Sequence, residues 1–506
     1  MDIVRWLGQK RSLPNNTAHM KGIKALLVLG LIAIVGLVHG QASFQRSIGG
    51  AGNDFGRAIV VCSDGGYMIA GATNSFINPS SDVYVLRIDD AGDYVWGRNF
   101  GSENHIEWAV DLIEDADGNF LLAGYTDNTN GNGYDGLLMK VDGAGNHIWT
   151  MNFGGSDWDF FEAIALDEFG NIYLGGSTYA ENGRNGWLLK LDASGNVLWE
   201  DTIPALPSGE ISDIHLCDDG NFVFTGNTED PLSGEKRVIG GRFDRDGEFF
   251  WTSVFEDFGD AEGISCTCTD GQLKLIGNSY EAFGPSTADI LILGFDLLDG
   301  SFQWIELITN NQDDRGMGIG YKENGNLIVC GARSGFGSGI QVAYISEFGP
   351  EGNFLGPGFG FTLGGTQYDL LYDLKSTADG GYVVVGETNS FGNNYQVYVI
   401  KVDSENNAPP SNIDFLDVAT NTKIHALGAI DPYIYPNPAS EFIHINLTQN
   451  QIGQIRIISS TGQDVFAVNV AGSDKINLPS IPAGIYTVEI SLGEITLLEK
   501  LVIFPR

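Results

Sequence analysis

Six side chains in this sequence stand out for the chemistry they could do: Asp54, Trp108, Trp158, Asp159, Tyr368 and Asp369. They sit in or beside short loops such as Asn53-Asp54-Phe55, Asp157-Trp158-Asp159 and Gln367-Tyr368-Asp369, each just ahead of an apolar run. Aromatic rings stack on the apolar face of a sugar, and carboxylates accept its hydroxyl hydrogens. The set therefore predicts a binding face for a glycan or a protein. Oxygen-rich loops of this kind could instead hold Ca²⁺, although no ligand set for a metal is assigned. The plainer alternative is that these aspartates and the glycines around them only shape turns.

Catalytic motifs are missing. There is no nucleophile elbow, no phosphate-binding glycine loop and no zinc-binding His-Glu-x-x-His. The phrase Asp192 to Trp199 (DASGNVLW) resembles the tryptophan-docking repeats of quinoprotein dehydrogenases, but its turn is one residue shorter. Sialidase Asp boxes space Asp and Gly differently, and no arginine triad is evident. Paired carboxylates remain available for glycosidase-type chemistry, because acids are abundant. The expectation is a non-catalytic binding or structural module without a cofactor. The alternative is an extracellular hydrolase or quinoprotein-like enzyme.

The elements that position the six residues are repeats. An acidic or polar residue, a glycine turn and an apolar strand recur around Gly65, Gly118, Gly170, Gly220, Gly271, Gly325 and Gly380, a mean period of about 52.5 residues. A period near fifty marks a propeller or solenoid array. Each copy reads as four strands, as in Gly56 to Cys62, Tyr67 to Thr73, Val83 to Asp89 and Tyr94 to Phe100. The fourth strand carries Trp96, Trp149, Trp199, Trp251 and Trp304 in fixed phase, which predicts a ring packed between neighbouring repeats, with Leu355 as the apolar substitute in the sixth copy. The seventh copy lacks its last strand, and Phe44 to Gly50 (FQRSIGG) reads as a last strand with no repeat before it. Joining the two closes a ring and removes free sheet edges. The fold expected is all-β: a seven-bladed β-propeller over residues 43–403, its last blade closed by the N-terminal strand, followed by a small Ig-like β-sandwich.

In the propeller arrangement, loops joining a last strand to the next first strand, and a second strand to a third, gather on one face. The six candidates fall there. The turn runs Asp115-Ala116-Asp117-Gly118 and Asp244-Arg245-Asp246-Gly247 hint at calcium loops but suit hairpins equally well. His105 reads as a lone exposed histidine.

Charge and cysteines bound the partners. Lys and Arg number 27 against 65 Asp and Glu, a net charge of -38. Loss of residues 1–42 would remove five bases and one acid and leave the rest near -42. Such a surface repels phosphate backbones and anionic lipid, so no nucleic-acid partner is expected. Residues 1–42 read as a leader and signal peptide, with Lys21 and Lys24 ahead of the apolar run Ala25 to Val38, so the mature chain is expected to lack a transmembrane span. Met20 is an alternative start. Cys62, Cys217, Cys266, Cys268 and Cys330 lie in apolar strands and read as small buried residues rather than a disulfide framework.

After a linker at 404–430, composition shifts again. The strings YPNPAS, STGQ, LPSIPAGIYTVEI and EKLVIFPR, within residues 431–506, resemble the C-terminal sorting domain of type IX secretion substrates from Bacteroidetes. Pro436, Asn437, Pro438, Gly484, Tyr486 and Lys500 occupy that family's signature positions. The resemblance implies recognition by the type IX machinery, passage across the outer membrane, and an extracellular or cell-surface location. The repeats also resemble those of secreted Bacteroidetes propeller proteins, which implies a fold and little chemistry.

Overall fold

The computed structural model describes residues 43–503. The exceptions are 77–79, 103–104, 128–132, 156, 181–182, 204–207, 257–258, 281–286, 310–311, 335–339, 356–359, 393, most of 409–451 and a few positions beyond 451. The leader, residues 1–42, lies outside the described residues. The described residues form strands and turns without a helix, as the alternating apolar pattern predicts.

Between residues 44 and 402 lie seven sheets built on four antiparallel strands. The first spans Asp54–Val61, Tyr67–Thr73, Asp82–Ile88 and Tyr94–Gly101, and each later sheet repeats this meander. The seventh runs through Asp369–Ser376, Tyr382–Thr388 and Gln396–Val402, then takes Phe44–Gly49 as its fourth strand, with Phe44 opposite Lys401 and Ile48 opposite Val397. One apolar cluster fills every junction between successive sheets. The cluster of Phe44, Ile59, Tyr67, Val383 and Val399 joins the seventh sheet to the first. A meander covered on both faces needs a partner on each side, and closing the ring supplies the last one.

The tryptophans occupy these junctions, where Trp96, Trp149, Trp199, Trp251 and Trp304 pack against successive clusters. For four of them the place is set by a glycine in the following sheet. A Cβ on Gly145 would sit 2.7 Å from the Trp96 ring, and one on Gly247 would sit 3.2 Å from Trp199. Phe44 takes the equivalent place against Gly92. Leu355 does not fill the corresponding wedge: it is 47% exposed, and Phe361 and Leu363 pack against the cluster between the sixth and seventh sheets instead. The sixth sheet's last strand is only Phe361–Leu363, paired with Ala343, Tyr344 and Ile345 of the third strand.

The cysteine reading needs correction. Cys217, just past the first strand of the fourth sheet (Gly209–Leu216), forms a disulfide with Cys268 in the first strand of the fifth (Ala261–Thr269), while Cys62, Cys266 and Cys330 are buried and free. The linker also contains structure. Asp414–Asp417 pairs parallel with Phe44–Gly49, and His425–Ala426 pairs parallel with Tyr94–Gly101, so both cover outer sheet edges.

The C-terminal segment forms a three-stranded sheet (Ile434–Tyr435, Phe442–Ile445, Asp474–Asn477) and a four-stranded sheet in the order Asp464–Ala471, Ile452–Ser459, Gly484–Leu492, Ile495–Ile503. Ile455, Ile457, Ile476, Leu478, Tyr486 and Val488 are buried in it.

Candidate functional site

The first strands of all seven sheets line one central cavity of about 970 Å³. Each of these strands carries a bulge at the same place, between Gly56 and Ala58 in the first sheet and between Ala109 and Asp111 in the second. A bulge leaves a backbone donor without a ladder partner. Here the neighbouring sheet supplies the acceptor. Asp111 Oδ2 accepts from the Ile164 N–H at 2.8 Å, Asp213 Oδ2 from the Cys266 N–H at 2.8 Å, and Asp373 Oδ2 from the Ile59 N–H at 2.9 Å. Each aspartate is the fifth residue of its strand, and the receiving strand has Ala163, Ser265 or Ala58 at that position. Aspartate and small residue thus alternate around the ring. An odd number of sheets leaves one over, and the sixth has Gly318 there.

Lys375 projects among these aspartates, its Nζ donating to Asp373 Oδ1 at 2.8 Å. Burial disfavours its charge, but Asp373, Asp111 and Asp213 outweigh that and hold the ammonium above its ordinary pKa. Burial pushes Asp111 up to about 7 despite Lys375. His215, on the same wall, is driven down to about 4 by burial and then by Lys375, so it is neutral at pH 7.

At one mouth of the cavity the first strands begin, the second strands end and the third strands start. An arc of aromatic rings follows the mouth from the seventh sheet to the third. Tyr368 meets Tyr395 at 5.9 Å, Tyr395 meets Phe55 at 5.8 Å, and Phe55 stacks on Trp108 at 5.1 Å. Trp108 lies parallel to Tyr125 at 6.4 Å, Tyr125 meets Phe160 at 5.2 Å, and Phe160 meets Trp158 at 6.1 Å. Arg57 lies over the Tyr372 ring at 3.8 Å beside the arc and pairs with Glu387 at 3.5 Å.

The structure thus brings Trp108, Trp158 and Tyr368 together on one arc, where Trp158 is 48% exposed. It does not bring the aspartates to that surface. Asp54, Asp159 and Asp369 are at most 1% exposed. Asp54 accepts from the Ser75 hydroxyl at 2.6 Å, the Gly50 N–H at 2.7 Å and the Thr73 hydroxyl. Asp369 repeats this with Ser390, Gly365 and Thr388, and Asp159 accepts from the Gly155 N–H at 2.7 Å. A carboxylate at the start of a strand is the nearest acceptor for the donors of its own loop, so these three brace the loops that carry the rings.

Sequence reading missed Phe55, Arg57, Tyr125, Phe160, Glu162, Tyr372 and Tyr395. A signal existed for some of them: Phe55, Trp108 and Phe160 keep the repeat's phase, spaced by 53 and 52 residues. His105 is held by Asp127, Nδ1 to Oδ1 at 2.8 Å. The Asp115 carboxylate accepts from the Asp117 and Asn119 N–H groups at 2.9 Å and pairs with Lys140 at 2.7 Å, which is hairpin chemistry. Among the described residues no group of three or more His, Cys, Asp or Glu is placed to hold a metal ion.

In the tail, Gly484 opens a strand, the buried Tyr486 hydroxyl donates to the Pro482 carbonyl at 2.8 Å, and Lys500 stands opposite Thr487. Pro436, Asn437 and Pro438 lie outside the described residues. Residues 433–504 match the family described as the secretion system C-terminal sorting domain. The tail is a type IX sorting domain. Its presence directs the chain to secretion outside the cell. Among the described residues no helix is long and apolar enough to cross a membrane.

Over 156 residues, 28% of its length, the chain is 23% identical to the regulatory protein FlaEY of Caulobacter vibrioides, and the match spans 16% of that protein. Among solved structures it is similar to the extracellular domain of what is described as a hybrid two component system from B. thetaiotaomicron. That likeness has 12% identity and a TM-score of 0.43, covering 92% of this chain and 60% of that one. The Pan2 WD40 domain of Neurospora crassa shows 11% identity and a TM-score of 0.44, over 72% of this chain and 92% of that one. A protein of unknown function from Dyadobacter fermentans shows 10% identity and a TM-score of 0.42, over 60% and 96%.

Proposed function

We propose that the seven sheets are the blades of one closed propeller, that the tail is an Ig-like sandwich, and that the mature protein is a non-catalytic binding module of a Bacteroidetes cell, displayed on its surface or released. The observation that carries this reading is the aromatic arc at the mouth of the central cavity. Half-buried rings in mutual contact are rigid, and the cavity beside them gives a ligand somewhere to enter. No resident cofactor is proposed, and Asp54, Asp369 and Asp111 are engaged in loops or bulges.

Two experiments test it. Deletion of residues 433–506 is expected to leave the protein inside the cell envelope, and continued appearance in the medium would remove the sorting role. Purified mature protein is expected to bind an extracellular ligand in a way that fails for Trp158→Ala, while turnover of chromogenic glycosides stays at background. Turnover that disappears in Glu162→Gln with the fold intact would replace the binding module with a hydrolase. A stabilising effect of added Ca²⁺ would restore the calcium alternative.

A further inference from the structure

The mouth of the cavity has two unlike sectors. One is the aromatic arc, carried by the seventh, first, second and third sheets. The other, carried by the third to fifth sheets, is polar and ion-paired. Arg184 pairs with Glu210, and Lys236 with Glu262 at 2.8 Å. The carboxylates accept further bonds: Asn227 Nδ2 donates to Glu210 and the Tyr280 hydroxyl to Glu262, each at 2.5 Å. On the aromatic side Arg57 faces Glu387. Each of these three cations already has a carboxylate within reach. The chain as a whole carries -38, so the long-range field also opposes an anion.

Glu162 stands between the sectors. It is the bulged residue of its strand, skipped in the ladder between Phe161 and Ala163, and it lines the cavity with Trp108 and Tyr125. Its carboxyl makes no hydrogen bond among the described residues. Burial, and then Glu210, push it up to about 7, so near neutral pH it can donate as well as accept.

From this pairing of an aromatic arc with a charge-compensated polar sector, and resting on the reading of the mouth as a binding face, we infer that the ligand is a neutral oligosaccharide. A pyranose ring offers one C–H face to Trp158, whose aromatic neighbours meet it edge-on. Its hydroxyls, each donor and acceptor, suit Glu162 and the ion-paired groups. A uronate or sulfate would meet no uncompensated cation here, and a basic peptide would have to displace the internal pairs.

The test is calorimetric titration of the mature full chain with neutral hexasaccharides (gluco-, manno-, xylo- and galacto-configured), oligogalacturonate, a sulfated glycosaminoglycan fragment and a lysine-rich peptide. The expected result is saturable binding of a neutral sugar that changes little over roughly 50 to 500 mM salt. Trp158→Ala is expected to weaken it by about tenfold or more, since the lost stacking is worth about 1.4 kcal/mol. Trp158 is exposed, so this variant should fold, and Glu162→Gln gives a second readout by removing the pH dependence of affinity near 7. Preferential binding of the acidic sugars, or of the peptide, lost in Trp158→Ala, would overturn the neutral-sugar assignment while keeping the binding face. Binding of a neutral sugar that is indifferent to both substitutions would overturn the site. Silence toward every probe would overturn the binding reading as well.

Discussion

The indole of Trp251 rests on Gly300 of the next sheet, so close that a Cβ on Gly300 would lie 2.5 Å from the ring, and its Nε1 donates to the Leu297 carbonyl at 3.0 Å. Gly300 also has φ 71, a left-handed conformation that costs an L side chain energy. Two penalties therefore meet at one residue. Gly271, with φ 72 and nothing within 4 Å of an added Cβ, carries only the first. Chemical denaturation is expected to show Gly271→Ala losing about 1 kcal/mol and Gly300→Ala about 2–4 kcal/mol. Equal losses would mean the ring does not constrain the turn.

The bulge acceptors make a second prediction. Asp111→Ala removes the partner of the Ile164 N–H in a wall that also holds Asp213 and Lys375, and should cost about 1–3 kcal/mol. Amide hydrogen exchange at Ile164 is expected to accelerate in that variant. Unchanged protection there would show that water replaces the carboxylate fully.

Stability should depend on pH in an unusual direction. Burial raises Glu162 from 4.5 to about 7 and Asp111 from 3.8 to about 7. The folded state then holds protons that the unfolded chain has released, so these groups favour folding below about pH 4, and that advantage is lost as pH rises through 7. Melting temperature is expected to fall between pH 5 and 7.5, by less in the double variant Glu162→Gln, Asp111→Asn. His215, lowered from 6.5 to about 4, acts in the opposite sense below about pH 6.5, so the decisive comparison is with the double variant: an unchanged pH dependence there would contradict the protonation assigned to both.

The disulfide ties residues 51 apart, nearly one full repeat. In the chain-entropy picture such a loop is worth about 4 kcal/mol at most, and measured values run about 2–4 kcal/mol. Cys217→Ser with Cys268→Ser, or reduction of the native protein, should lower the melting temperature without changing ligand binding, because the bond lies away from the aromatic arc. A loss of binding on reduction would show that the spacing of the fourth and fifth sheets sets the shape of the mouth.

Local chemistry was legible in the sequence. Glycine turns, alternating apolar runs and a period near fifty predict repeated four-stranded meanders, and the orphan strand at Phe44 predicts its pairing with Gln396–Val402. The sorting tail was legible too, because its turns and strands are short-range. The phase of Phe55, Trp108 and Phe160 was present but unread, since aromatic residues in strands are ordinarily core. What only the tertiary structure decided were relations between neighbouring repeats. Whether Asp54 faces solvent or its own loop depends on where the Thr73 and Ser75 hydroxyls point. Whether Cys268 meets Cys217 rather than staying a free thiol beside Cys266 depends on the lateral register of two sheets. That register is set by junction packing and by bulge acceptors such as Asp213, contacts made between residues about fifty positions apart. A local pattern cannot encode them, because their energy exists only once neighbouring sheets have packed.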